Sequence, residues 1–167
     1  LSVNSTNHIR SPSTWLSNFY NQHKSQSQKI IFVSFPLYHK GRGIMDGFRP
    51  NKPIIVANDR VEFINLLNIE NRENFYYRPY FYNDNKFDDL KFIINHIPSM
   101  NILYGDLHKS LLKCKLMIMD EFSTSILISL TMNVPTILYF DIDQYIFKEK
   151  YRRILQDMKN VGIIFDD

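Results

Sequence analysis

The stretch from Lys115 to Asp143, KLMIMDEFSTSILISLTMNVPTILYFDID, decides the fold. Lys115–Met119 is an apolar run too short for a helix and flanked by polar residues, so it reads as a buried strand. Asp120-Glu121-Phe122 turns the chain. Ser123-Thr124-Ser125 then opens an apolar helix, because hydroxyls there can cap amides that lack a partner inside the helix. Asn133 ends that helix, and Val134–Phe140 is the next buried strand. Pro135 is tolerated because it sits at the strand's start, where a missing amide costs little.

This is a strand–helix–strand unit whose helix begins with three hydroxyls at the carboxyl end of a strand. Open parallel sheets bind ligands outside the carboxyl ends of their strands. A helix start also offers free amides and the positive end of its dipole, which suits an anion such as phosphate. The plainer alternative is that the hydroxyls only cap the helix.

Working outward, the same alternation of short apolar runs and helical patterns continues. Residues 1–10 are polar, and Ser11 or Ser13 can cap a helix carrying Trp15, Leu16, Phe19 and Tyr20 on one face. Residues 1–28 thus form a polar segment and a helix that packs on the domain formed by residues 29–167. Lys29–Phe35 (KIIFVSF) is a strand, followed by a long loop with His39-Lys40-Gly41-Arg42-Gly43. Pro53–Ala57 (PIIVA) reads as a second strand, and Asn58 or Asp59 as the cap of a helix after it. Glu73–Arg78 is a strand stopped by Pro79, and Phe87–Ile97 a helix closed by Pro98. Asn101–Tyr104 is a short strand before the helix Leu107–Cys114. The last helix, Ile146–Met158, is rich in Lys and Arg and ends near Gly162. Strands alternating with helices point to an α/β domain with a mainly parallel sheet covered on both faces.

Composition bounds the function. The chain has 167 residues and a net charge of +3, too weak a basic bias to indicate nucleic acid. Its one cysteine, Cys114, excludes an internal disulfide, fits a reducing compartment, and sits among Leu111, Leu112 and Leu116 as a small buried residue. No apolar run reaches membrane-spanning length and no signal peptide opens the chain, so a soluble, cytoplasmic protein is expected. It begins at Leu1 rather than Met, as a piece of a longer protein would.

Several chemistries are weighed on the residues. Neither glycine-rich nucleotide motif is present; Gly41-Arg42-Gly43 has only a glycine pair. Lys40 and Arg42 nevertheless follow the first strand, Arg78 ends another, and Ser123, Thr124 and Ser125 follow a third. Cationic and hydroxyl donors therefore converge on one sheet edge, and guanidinium groups match phosphate oxygens two at a time. Arg78 can equally form a surface ion pair. Asp141 and Asp143 could be the aspartate pair of a magnesium-dependent phosphatase, but Gln144 follows them near the chain's end, and capping the next helix is the preferred reading. The five histidines lack metal-binding spacing, so no metal site is expected. Lys148, Lys150, Arg152 and Arg153 give the last helix a solvated face that could also touch an anionic membrane surface.

The segment Glu121-Phe122-Ser123-Thr124-Ser125, with the helix running on to Asn133-Val134-Pro135-Thr136-Ile137, resembles the donor-binding half of GT-B-fold transferases. Within these it is similar to a transferase family of surface-carbohydrate loci related to the CDP-glycerol glycerophosphotransferases. The resemblance reaches back through Tyr77-Arg78-Pro79-Tyr80 to Ser34-Phe35-Pro36-Leu37-Tyr38, and forward to Val161-Gly162-Ile163. It implies a Rossmann-like three-layer domain, the carboxyl-terminal half of a two-domain enzyme acting in surface-polysaccharide synthesis. Carried over, Ser123, Thr124 and Ser125 hold the phosphates of a nucleotide-sugar or nucleotide-glycerol donor. Arg78 stands where relatives place a histidine before proline, and Arg42 matches a basic residue after the first strand. No cofactor beyond the donor substrate is implied. Two departures stand out: Ile128 replaces a glutamate expected near the donor's ribose, and the amino-terminal domain that supplies the acceptor site has no counterpart here. They keep open a non-catalytic binding module of the same fold.

Overall fold

The computed structural model describes residues 13–24, 26–37, 53–80, 87–139 and 147–165. All four residues of β1 (Ile30–Val33) are buried, as expected of an apolar strand enclosed on both faces. It lies in the middle of a six-stranded sheet with β2 (Phe75–Arg78), β3 (Asn101–Ile102), β4 (Leu116–Met119), β5 (Thr136–Tyr139) and β6 (Ile164–Phe165). The spatial order is β3-β2-β1-β4-β5-β6 and every pairing is parallel. The chain thus winds outward one way from β1 and the other way from β4. Val33 stands opposite both Arg78 and Met119, and Met119 opposite Leu138, so these residues mark the carboxyl edge.

Side chains alternate across the sheet and build two cores. Ile31, Val33, Met117, Met119 and Leu138 pack with Leu111 of α5 (Leu107–Leu111), Ile126, Ile128 and Met132 of α6 (Thr124–Met132) and Leu155 of α7 (Glu149–Asn160). On the other face Ile30, Phe32, Phe75, Tyr77 and Ile118 pack with Ile64 of α2 (Pro53–Leu66) and Ile93 of α4 (Asp89–His96). The short α3 (Ile69–Glu73) leads into β2. Helices on both faces of a parallel sheet make a Rossmann-like three-layer α/β domain, the class read from the sequence.

One element is corrected. Pro53–Ala57 is not a strand but the first turns of α2, with Asn58 and Asp59 inside that helix rather than capping it. Proline is pre-shaped for a first helical position. The buried residues Val56, Ala57, Arg60 and Ile64 follow helical spacing, while Ile54 and Ile55 remain substantially exposed. An apolar run that straddles both sides of a helix imitates a strand in sequence.

The amino-terminal helix is also shorter than read. It is one turn, α1 (Thr14–Ser17), whose cap is Ser13 with its Oγ accepting from the Leu16 amide at 3.3 Å. Leu16 and Phe19 reach the core, whereas Trp15 and Tyr20 are exposed. Between it and β1 the chain runs as a strap. The amides of Asn21 and His23 donate to the carbonyls of Thr131 and Met132, and that of Lys24 to Leu112. Carbonyls in the last turn of a helix have no internal partner, so this segment satisfies the carboxyl ends of α6 and α5. At the other end of the chain, α7 has Lys148 at its cap position. Asp141 and Asp143, read as its possible caps, lie outside the described residues, as does Arg42.

Candidate functional site

The winding reverses between β1 and β4, and in open sheets the crevice that takes a ligand lies outside the carboxyl ends at such a point. Ser34 to Leu37 follow β1 there, and Asp120 to Ser123 follow β4. The β1–β2 ladder runs one step past the strands: the Ser34 amide donates to the Arg78 carbonyl at 3.0 Å, and Ser34 Oγ accepts from the Tyr80 amide at 2.9 Å.

The three hydroxyl residues open α6 beside this crevice. Ser123 is the extended cap residue, and its Oγ accepts from the Ser125 amide at 3.2 Å. Thr124 is exposed and Ser125 half-buried. Asn133 closes the helix in the left-handed conformation, φ 64°. The capping role read from the sequence is therefore present, and it leaves the helix start facing the carboxyl edge. Ile128 is buried in the core, so this position points at the sheet and not at a ligand.

Arg78 ends β2 on the far side of β1 from α6. Two inter-strand spacings, roughly 10 Å, separate its strand from β4. Its Nη2 donates to the Gly105 carbonyl at 2.9 Å, in the turn before α5, where Gly105 adopts φ 91°. Burial lowers the Arg78 pKa and the Asp106 carboxylate opposes that shift. The structure thus brings Ser123, Thr124 and Ser125 together and sets Arg78 on the same edge without contact between them.

Sequence reading passed over the most buried polar group of the edge. Arg60 of α2 is 2% exposed. Its Nε donates to Asp120 Oδ2 at 2.7 Å, and its Nη1 to Asp89 Oδ2 at 3.2 Å and the Tyr77 hydroxyl at 3.1 Å. Its Nη2 donates to the Phe35 carbonyl at 3.1 Å, and the Tyr77 hydroxyl donates to Asp89 Oδ2 at 2.6 Å. Burial alone lowers the Arg60 pKa, but Asp120, Tyr77 and Asp89 outweigh it, so the guanidinium stays charged. Burial raises the Tyr77 pKa and keeps its hydroxyl neutral. The available signal is an arginine on the apolar stripe Val56-Ala57-Arg60-Ile64, which a strand reading of Pro53–Ala57 hides.

A family model described as LIC12162 family transferase matches residues 3–167. The chain belongs to the LIC12162 family of transferases. No curated protein and no solved structure matches it. Among the described residues, no three His, Cys, Asp or Glu side chains gather closely enough to hold a metal ion. Cys114 is buried, its thiol donating weakly to the Leu111 carbonyl, and burial pushes its pKa up to about 11, which suits core packing rather than nucleophilic attack. No described helix is long and apolar enough to cross a membrane.

Proposed function

We propose that this LIC12162 family domain binds the nucleotide-activated donor of a GT-B-type glycosyl- or glycerophosphotransferase that serves cell-surface polysaccharide synthesis. The observation that carries the reading is the start of α6, capped by Ser123, beside the point where the sheet's winding reverses. Amides and the helix dipole there suit a diphosphate. Arg78, half-buried and held at a strand end, supplies a cation on the same edge. In this reading Ser123, Thr124, Ser125 and Arg78 hold the phosphates, with Arg42 a further candidate. Their donors stabilise the departing diphosphate without a metal. The acceptor site and base come from a second domain, and the protein works in the cytoplasm, against the membrane where its acceptor is anchored.

A non-catalytic module of the same fold is the second reading. It is favoured by one observation: both Arg78 and Ser123 already make scaffold hydrogen bonds. Calorimetric titration of the protein with CDP, UDP and GDP, without metal, separates the two. Saturable binding of one nucleotide, weakened in Arg78→Lys, is expected. Heats that stay flat for all three at millimolar concentration overturn the donor reading.

A further inference from the structure

We infer that Arg60 is a positioning residue that holds in place the segments bounding the crevice outside the carboxyl ends of β1 and β4. The segments bounding that crevice come from different parts of the chain. Phe35 to Leu37 follow β1, Phe87 to Asp89 lead into α4, and Asp120 follows β4. The first two already meet: the Phe87 amide donates to the Leu37 carbonyl at 2.7 Å. Leu37 is buried with Val56 and Ala57 of α2, and Phe87 and Phe92 pack on them.

Arg60 ties all three segments with one rigid group. It holds Phe35 through the carbonyl, Asp89 through one carboxylate and Asp120 through another. Phe35 and Asp89 belong to the β1–β2–β3 half of the sheet, and Asp120 to the β4–β5–β6 half. A planar guanidinium fixes the angles and distances between its partners, which a single ammonium on a flexible stem does not. Val56, Ala57 and Ile64 anchor the helix that carries it, so the guanidinium is set by packing on both sides. Asp120 is three residues before Ser123, so the position of the α6 start follows from where Arg60 holds Asp120.

The substitution Arg60→Lys tests this, with Ile93→Ala as a core variant that lowers stability away from the crevice. Both are read at a temperature where circular dichroism shows them folded. Hydrogen exchange in Arg60→Lys is expected to rise together at Phe35–Leu37, at the start of α4 and at Asp120–Phe122, while Met117–Met119 stays protected. Ile93→Ala should not give that pattern. The ligand arm rests on the donor-binding reading: the nucleotide bound by the wild type should bind about tenfold more weakly to Arg60→Lys, the size of one charge-assisted contact, and unchanged to Ile93→Ala. A wild type that binds no nucleotide removes the donor reading, and the exchange pattern still decides Arg60. If Arg60→Lys does not fold, Asp120→Asn takes its place, with the rise expected at Asp120–Phe122. Exchange that rises evenly through the core, or alike in the crevice variant and Ile93→Ala, overturns the positioning role.

Discussion

Two arginines flank the carboxyl edge of this sheet, and they are used in opposite ways. Arg60 approaches from the α2–α4 face, is wholly buried, and directs donors to two carboxylates, a hydroxyl and a carbonyl. Arg78 ends β2, is about half-buried, and among the described residues donates to the Gly105 carbonyl. Among the described residues its buried Nε has no partner. An arginine whose three nitrogens all donate to fixed protein acceptors belongs to the scaffold. One held by a single neutral acceptor is not committed in that way. A cation at a strand end is therefore not enough to name a site; the way its hydrogen bonds are spent decides it.

The largest effect expected from breaking this contrast is that of Arg60→Met. It leaves Asp89 and Asp120 buried without their cation, and removing one partner of a buried ion pair costs about 3–5 kcal/mol. Urea denaturation should show a loss of that size, a large part of the stability of a typical domain. A loss below about 1 kcal/mol, the range of exposed pairs, would mean that the carboxylates find other partners and that Arg60 is no keystone.

The hydroxyls of α6 come next. If Ser123 only caps the helix, Ser123→Ala costs about 1 kcal/mol and nothing more. In the donor reading the same substitution also weakens nucleotide binding, because its O–H and the amides it organises face the phosphates. Measuring stability and affinity on the same variant sharpens the contrast. An equal affinity with the expected small loss of stability assigns Ser123 to the scaffold beside Arg60.

Why Arg78 and Ser123 were legible in the sequence while Arg60 was not has a physical explanation. Strand ends and helix caps are local: Ser123 bonds to an amide two residues away, and Arg78 stands directly before a proline. The apolar runs of β1, β4 and β5 and the cap-to-asparagine span of α6 were readable for the same reason. The partners of Arg60 are 60, 29, 25 and 17 residues distant in the chain. No periodicity connects them before the sheet is assembled. The strand order is equally hidden, since pairing of β1 with both β2 and β4 is a property of the packed sheet. The misreading of Pro53–Ala57 compounded the loss. Exposed Ile54 and Ile55 beside buried Val56 and Ala57 made a continuous apolar run, and the helix stripe that carries Arg60 disappeared into it.

The smallest change in stability is expected from Arg78→Lys, and it is the most informative about function. The bond from Nη2 to Gly105 is a contact to a neutral carbonyl, and an ammonium can reach part of the same space. Since Arg78 is only half-buried, water screens what charge interaction it has with Asp106, so the loss should stay under about 1 kcal/mol. Binding behaves differently if the donor lies here. Lysine keeps the charge but loses the planar fork that engages two phosphate oxygens at once, a contact stronger than a neutral hydrogen bond. Nucleotide affinity should therefore fall while the denaturation curve hardly moves. The opposite pattern, unchanged affinity with a stability loss approaching that of Arg60→Met, would make Arg78 a second scaffold arginine. The phosphates would then have to be placed elsewhere along the edge, on the side of α6 alone.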